Sequence, residues 1–485
     1  MKKTKFLPFL SVLTLLGGLS SCSRKIPEAS ASDGSSNGPV TIEFWHTFGK
    51  EITDAIKEAA DDFSALVKEN EGVDVKINMS YQGGYDDILD KINKGFPTGN
   101  YPNLSVAYPD HVASYLKAEG KNYGKYVVDL SQYIDSEEYG FGKEGYLNDG
   151  SASDFVDVFY QEGQSYGRDG IYSLPLMKSS EVLFYNKNIV EPYAMQYDAN
   201  LKTSAQIEKY FSDISFDGLM DFCRFLKTKL PDKVPFIYDS DSNLFISKCY
   251  QNGIDFLSVD KDGNGQVLFN NANAKAMVKK LKGYVDDGLL ETKGMTGEYA
   301  SNYFKNEECI FTVGSTGGSG YNVPTGEAFR VGVAPVPYDN NNPLYVTQGV
   351  TATILKNNDP DGRKALYAYK FLKYVTGAEV NAELCINGSN GYSPVRKSSY
   401  KTDLYSDYLA SAADEETDIR PTVAKVVYED INGKYFNTPC FSGSAKARDA
   451  VGGILTQVFI SKDDDVDALI DTKFKEAENT AKLAM

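Results

Sequence analysis

The apolar positions of the first seventy mature residues change period twice, and the changes predict the elements. Val40 to Phe44 reads as a mostly buried strand. Ile52, Ala55, Ile56, Ala59, Phe63, Leu66 and Val67 then recur at helical spacing, which predicts a long helix with one buried face. Val73, Val75, Ile77 and Met79 alternate with polar residues, so Val73 to Tyr81 reads as a second strand. After the turn Gln82-Gly83-Gly84 a helix is expected from Tyr85 to Lys94, and Asn103 to Tyr108 forms a third strand that enters the corner Pro109-Asp110. Strand-helix-strand-helix-strand is the signature of a doubly wound α/β sheet, in which ligands gather at the carboxyl ends of the strands. Trp45, Tyr85 and Asp110 lie just past strand ends or their turns, on that predicted edge.

The pattern continues along the chain. Ile171 to Leu176 and Glu181 to Tyr185 read as extended, the latter closing on Asn186-Lys187. Ser215 to Lys227 reads as a helix burying Leu219, Phe222, Phe225 and Leu226, and Ala274 to Asp286 as another with Asn273 as its N-cap. Cys309 to Val313 is a strand that empties into the glycine- and serine-rich loop Gly314 to Gly320. Strands are expected at Arg330 to Val336 and Leu344 to Leu355, helices at Arg363 to Val375, Ala445 to Phe459 and Val466 to Leu483, and a loop at Gly391 to Val395. No internal repeat is evident. The acidic clusters Asp414 to Asp418 and Asp463 to Asp465 read as solvated surface.

The N-terminus adds an address. Lys2, Lys3 and Lys5 precede the apolar run Phe6 to Leu19, which is too short to span a bilayer comfortably, and Leu19-Ser20-Ser21-Cys22 follows. This resembles a bacterial lipobox, with Cys22 as the lipidated first residue of the mature chain; Ser21 departs from the commoner Gly or Ala. Ser23 to Pro39 is rich in Ser, Gly, Ala and Pro and reads as a flexible tether. An exported chain, lipid-anchored at the cell envelope, is therefore expected, on the outer face of the cytoplasmic membrane or in the periplasm.

Composition narrows the partners. At 485 residues the chain has room for two or three domains. A net charge of −17 argues against nucleic acid. The aromatic share of 13% is almost all Tyr and Phe, and tyrosine joins an apolar face to a hydroxyl tip, which suits polyol ligands as well as packing. Cys223, Cys249, Cys309, Cys385 and Cys440 are widely spaced with no C-x-x-C pair, so they read as buried thiols.

Catalytic motifs are scarce. The histidines are His46 and His111, in no H-E-x-x-H pattern, and no G-x-S-x-G elbow occurs. Acidic residues are plentiful enough for a glycosidase, but abundance alone locates no catalytic pair. Asp260-Lys261-Asp262-Gly263-Asn264-Gly265 matches the front half of a calcium loop, yet its twelfth position is Asn271 where a bidentate glutamate belongs, so a tight turn is the better reading. No metal and no cofactor is expected. The loop Gly314 to Gly320 carries neither nucleotide fingerprint, though its amides and hydroxyls after a buried strand suit a hydroxyl-rich or anionic group as well as they suit a surface loop.

Taken in order, TIEFWHTFGKE, YQGGY, NYPNLSVAYPD, VLFYNKN, FDGLMDF, YFKNEECIFTVGSTG, VGVAPVP, TQGVTATIL, ALYAYKFLKYV and NGYSPVRKSSY resemble the extracellular solute-binding proteins of ABC importers over nearly all the mature chain. The pattern is most similar to the glycerol-3-phosphate-binding branch. That resemblance implies Tyr85, Ser179, Ser315, Gly349, Tyr392 and Arg448 as ligand contacts. Where the branch has a glutamate for the glycerol hydroxyls this chain has Pro109, and Asp110 one place later is the substitute. Arg448 suits a phosphate, Ser179, Ser315 and the Gly349 amide suit its oxygens, and the two tyrosines suit the carbon skeleton.

The resemblance further implies a two-lobed periplasmic-binding-protein-like α/β fold, with the ligand cleft between lobes and several hinge crossings. Lobe one is expected at 40–178 with 350–406, and lobe two at 179–349 with 407–485. The expected function is a monomeric, non-enzymatic carrier that captures a polyol phosphate and delivers it to ABC permease subunits. A sugar or short oligosaccharide is the alternative ligand, and a secreted glycosidase the third reading.

Overall fold

The computed structural model describes residues 38–485 apart from 144, 148, 149, 261, 262, 389, 390, 414–417 and 432. Cys22, the preceding apolar run and the tether as far as residue 37 lie outside the described residues, as does most of the first acidic cluster. No helix among the described residues is long and apolar enough to cross a membrane.

In chain order the strands are β1 (Val40–His46), β2 (Val75–Tyr81), β3 (Leu104–Ala107), β4 (Leu174–Ser179), β5 (Glu181–Asn186), β6 (Val234–Tyr238), β7 (Leu257–Val259), β8 (Gly265–Val267), β9 (Leu290–Thr292), β10 (Cys309–Ser315), β11 (Val331–Pro335), β12 (Tyr345–Val346), β13 (Gln348–Ile354) and β14 (Tyr435–Phe436). One five-stranded sheet has the order β2-β1-β3-β13-β4, the other β11-β5-β10-β6-β9. β1 pairs in parallel with β2 and β3, the doubly wound start that the sequence predicts, whereas β13 is antiparallel to both its neighbours. The second sheet repeats the scheme: β6 is parallel to β9 and β10, and β5 is antiparallel to β10 and β11.

The odd strand of each sheet is one that has just left the other half of the molecule. Only Ser180 separates β4 from β5. A chain leaving the carboxyl end of β4 enters the second sheet from its cleft edge, and so runs against the strands already there. β13 does the same in return. Its predecessor β12 pairs with β14, and Tyr345, Val346 and Phe436 pack in the second core. The single strand expected over Leu344 to Leu355 is thus two strands in different sheets, broken at Thr347. There the Thr347 hydroxyl meets Glu162 and the Phe436 carbonyl, and Gly349 turns to φ +96°. A third passage follows Tyr405, which lies in the first core. The helix Arg420–Asp430 then places Val423 on the second sheet and Ala424 in the first core.

Separate cores hold the two halves, one in the first and two on the second sheet. In the first, the helix Lys50–Glu71 buries Ile56, Ala59, Ala60, Phe63 and Val67 against the sheet, and Phe371 of the helix Arg363–Val375 meets both Phe44 and Phe63. Gly72 ends the first helix in the left-handed conformation, at φ +70°. In the second, Phe211, Phe222 and Phe311 stack edge and tilt around Tyr185. The helix Phe216–Lys229 is capped by Ser215, whose Oγ accepts from Gly218 N at 3.0 Å. The helix expected from Ala274 begins two residues earlier. Its N-cap is Asn271, not Asn273, and Asn271 Oδ1 accepts from Ala274 N at 2.9 Å.

Candidate functional site

The crossings put the carboxyl ends of the parallel strands and the amino ends of β5 and β13 around one cavity of about 420 Å³. Each wall residue follows from that geometry. Tyr108, Pro109 and Asp110 come just after β3, Ser179 ends β4, Glu181 begins β5, and Gln348 and Gly349 begin β13. From the second sheet, Asp239 follows β6, Lys293 follows β9 and Ser315 ends β10.

Of the seven ligand residues implied by the sequence, Asp110, Ser179, Ser315, Gly349, Tyr392 and Arg448 line this cavity, although 338 positions separate the first from the last. Tyr85 does not line it. It stands one layer behind, its ring 3.9 Å from that of Tyr108 and nearly parallel, so Tyr108 presents the face to the cavity. Trp45 is also absent from the wall, and His46 is buried, stacked on Phe48 and accepting from Phe48 N through Nδ1.

Tyr392 closes one side. The loop Gly314 to Gly320 is no loose surface loop: Thr316 and Ser319 are fully buried, and a Cβ on Gly317 would sit 2.9 Å from the Tyr392 ring. Gly391 packs against the Thr316 carbonyl at φ +127°, where a side chain would collide. Burial pushes the Tyr392 hydroxyl up to about 12, so it acts as a neutral donor and acceptor.

Asp110 sits in the first turn of the helix Pro109–Ala118, and its Oδ1 is buried without a hydrogen-bond partner. The nearest cation is His111, whose Nε2 is 3.9 Å away. Burial lowers the His111 pKa against the pull of Asp110 and Asp86, so it offers little charge near neutral pH. One carboxylate oxygen of a wall residue is therefore buried without a partner.

Arg448, on the helix Ser444–Ile460, donates from Nη1 to Asn243 Oδ1 at 2.9 Å and from Nη2 to Thr438 Oγ1 at 3.2 Å. Both acceptors are neutral. Asn243 is held in turn by Glu181, which accepts from Asn243 Nδ2 at 2.9 Å and from the Tyr238 hydroxyl at 2.6 Å. Burial, only partly offset by those two hydrogen bonds, pushes Glu181 up to about 7. Burial likewise raises Asp239 to about 6, against the Ala300 amide and the nearby Lys293.

Glu162, Lys178, Glu181, Asp239, Asn243, Lys293 and Thr347 are wall residues that the sequence reading missed. Lys178 Nζ meets Glu162 Oε2 at 2.5 Å, and Glu162 Oε1 accepts from Thr347 Oγ1 at 2.8 Å, tying β4 to the second crossing. One signal was available for Asp239 and Lys293: each directly follows a strand, but β6 contains a proline and β9 has only three residues.

Among the described residues no group of three His, Cys, Asp or Glu side chains is arranged to hold a metal. The calcium-like loop is a turn between β7 and β8, with Asp260 N donating to Asn264 O at 3.0 Å; its residues 261 and 262 lie outside the description. All five described cysteines are buried.

Residues 58–413 match the profile of the family described as bacterial extracellular solute-binding protein. The sn-glycerol-3-phosphate-binding periplasmic protein UgpB of Escherichia coli K12 is 23% identical over 378 residues, 76% of this chain and 77% of that protein. Among solved structures, the cyclic alpha-maltosyl-1,6-maltose binding protein of Arthrobacter globiformis superposes with a TM-score of 0.66 at 19% identity, over 92% of this chain and 100% of that one. UgpB of Mycobacterium tuberculosis in complex with glycerophosphocholine gives a TM-score of 0.66 at 16% identity, over 92% and 98%. The sugar-binding protein MalE of Xanthomonas citri gives 0.67 at 15%, over the same shares.

Proposed function

The chain belongs to the bacterial extracellular solute-binding proteins, a family of binding proteins and not of enzymes, and from that premise we propose that it captures glycerol-3-phosphate or a related glycerophosphodiester and delivers it to the permease of an ABC importer. The observation that carries the ligand is Arg448. Its guanidinium reaches the cavity with two of its five N–H donors on neutral acceptors, so its charge and its remaining donors are left for an anion. Ser179, Ser315 and the amide edge at Gly349 complete a donor set for phosphate oxygens, Asp110 takes a glycerol hydroxyl, and Tyr108 and Tyr392 cover the carbons. The likeness to UgpB supports the same ligand class.

In this reading the lobes, 40–178 with 350–406 and 179–349 with 407–485, close on the ligand by bending at the crossings, and the closed monomer docks on the permease. Lipidation at Cys22 holds the chain at the outer face of the cytoplasmic membrane or in the periplasm.

A neutral sugar or short oligosaccharide is the second reading. It is favoured by the four carboxylates in the wall, Asp110, Glu162, Glu181 and Asp239, since carboxylates accept from sugar hydroxyls and repel phosphate. Calorimetry on the mature chain separates the two. Glycerol-3-phosphate should bind, and Arg448→Ala should weaken it roughly 10- to 100-fold, the worth of a charge-assisted hydrogen-bond pair. Binding of maltose or another neutral sugar alone, indifferent to Arg448→Ala, would reverse the order of the two readings.

A further inference from the structure

A carboxylate stands inside the donor set offered to the anion. Glu181 opens β5, with Ser179 just before it along the chain and Ser315 opposite it in the antiparallel register with β10. It is 5% exposed, and both its hydrogen-bond donors are neutral: the Tyr238 hydroxyl gives to Oε2 at 2.6 Å and Asn243 Nδ2 to Oε1 at 2.9 Å. Asn243 turns its Oδ1 to Arg448 Nη1 at 2.9 Å, so a single amide separates the carboxylate from the guanidinium. Lys178, the lysine of the preceding strand, is spent on Glu162. Glu181 therefore makes no ion pair among the described residues.

An anion on Arg448 and a carboxylate behind Asn243 are like charges in one buried wall, and a proton on the carboxylate removes the conflict. The fold has a place for that proton. Once Oε2 carries it, the new O–H donates to the Tyr238 oxygen, and the Tyr238 hydroxyl turns to Ser247, its other neighbour, on the helix Asp241–Gln251. Oε1 keeps its bond from Asn243, so Arg448 holds its position in both states. The charge changes while the geometry stays. Burial has the largest influence on this equilibrium; the bonds from Tyr238 and Asn243 oppose it, Asp239 adds to it and Arg448 opposes it. Asp110, Lys293 and the Lys178–Glu162 pair stand elsewhere on the same wall. The outcome is a carboxyl pushed up to about 7, which titrates near neutral pH.

From this placement we infer that Glu181 makes capture of an anionic solute proton-linked: the anion seats on Arg448 together with one proton from solvent, which turns the Glu181 carboxylate into the neutral acid. The inference rests on the reading of the cleft as an anion site. The balance closes. For a phosphodiester one negative charge enters and one is neutralised, so the net charge of the site is unchanged. Glu181 is a positioning residue in this scheme, acting on the anion's anchor through Asn243, and its charge sets the selectivity. With the carboxylate ionised the wall favours a neutral polyol, and with the acid it admits an anion. Affinity for an anion therefore falls as pH rises through about 7, while affinity for a neutral sugar does not.

The test is calorimetry at about pH 6 and about pH 8 with glycerol-3-phosphate, glycerophosphoglycerol and maltose, on the mature chain and on Glu181→Gln, whose amide imitates the neutral acid. The affinity of the variant relative to the parent is read at each pH, so protons carried by the ligand cancel. For either phosphate the ratio should be about one at the lower pH and about 10 at the higher, where only about a tenth of the parent is in the neutral form. Titrations at the higher pH in two buffers of different ionisation enthalpy should show uptake approaching one proton per anion by the parent and none by the variant. A ratio that is the same at both pH values, which a merely structural role would give, overturns the proposal; so does the absence of proton uptake by the parent. Thermal melts report whether the variant is folded. Where it is not, uptake by the parent is compared with uptake by Asp239→Asn: persistence supports Glu181, and loss assigns the proton to Asp239 and overturns the proposal. If maltose alone binds, the anion reading fails and the proton link falls with it. If a phosphate binds at a constant ratio, the reading stands and the link alone falls.

Discussion

Lys178→Met should unfold the hinge more than any surface change, and the structure says by how much. Lys178 is 1% exposed, and among the described residues Glu162 is its only ion-pair partner, at 2.5 Å. Removing the ammonium strands a carboxylate that is itself 4% exposed, with Thr347 Oγ1 as its remaining side-chain donor. Breaking one partner out of a buried pair costs about 3–5 kcal/mol, because the survivor stays charged and dry. Glu162→Gln should cost about the same by stranding Lys178. The double variant removes both charges, and buried pairs replaced by neutral groups of similar volume lose little or nothing. Urea denaturation of the four proteins, read at midpoints with the slope checked for constancy, closes the cycle. Two singles near 3–5 kcal/mol and a double within about 2 kcal/mol of the parent are expected. A double variant that loses the sum of the singles would refute the pair as a coupled, buried unit.

Glu181 gives the chain a pH dependence of definite sign. Its native pKa is raised from 4.5 to about 7 by burial, so the folded state holds a proton that the unfolded chain has already released. Its contribution is fully present below pH 4.5 and is lost as pH rises to about 7, a fall of order 3 kcal/mol at this group; Glu181→Gln should flatten that part of a stability-against-pH curve. Gly349→Ala should lower the urea midpoint by about 1–3 kcal/mol in stability and weaken ligand binding, since φ is +96° and the new Cβ would lie 2.7 Å from Ser179 N. Asn271→Ala should cost about 1 kcal/mol as a lost N-cap in thermal melts, and added calcium should leave both proteins unchanged.

Much of the fold was legible because its signals are local. The helix 50–71 shows its buried face in Ile56, Phe63 and Val67, and the second strand announces itself by alternation. Pairing across hundreds of residues leaves no such trace. Nothing in TQGVTATIL states that β13 inserts between β3 and β4, or that Thr347 divides two sheets. The candidate site divides in the same way. Asp110, Ser179, Ser315, Gly349, Tyr392 and Arg448 were reached by resemblance. Glu181 and Asn243, which orient Arg448, follow no motif, because their role exists only where β5, the helix Asp241–Gln251 and the helix Ser444–Ile460 meet.

On the proposed reading, that meeting point would let the cleft be both rigid and closable. The walls are carried by separate cores that share few side chains, which on the proposed reading would let each half move as a body. The crossings, by contrast, are tied by polar groups: Glu162 to Lys178 and Thr347, and Ser180 Oγ to the Val346 carbonyl at 2.9 Å. Polar ties have directional optima, and a small set of them at a hinge defines discrete angles better than apolar packing does. Of these, Glu162, Lys178 and Thr347 also line the cavity. On the proposed reading, a ligand bound over Glu162, Lys178 and Thr347 would bear on the ties that set the hinge angle, and capture would then be coupled to closure through the side chains of the crossings.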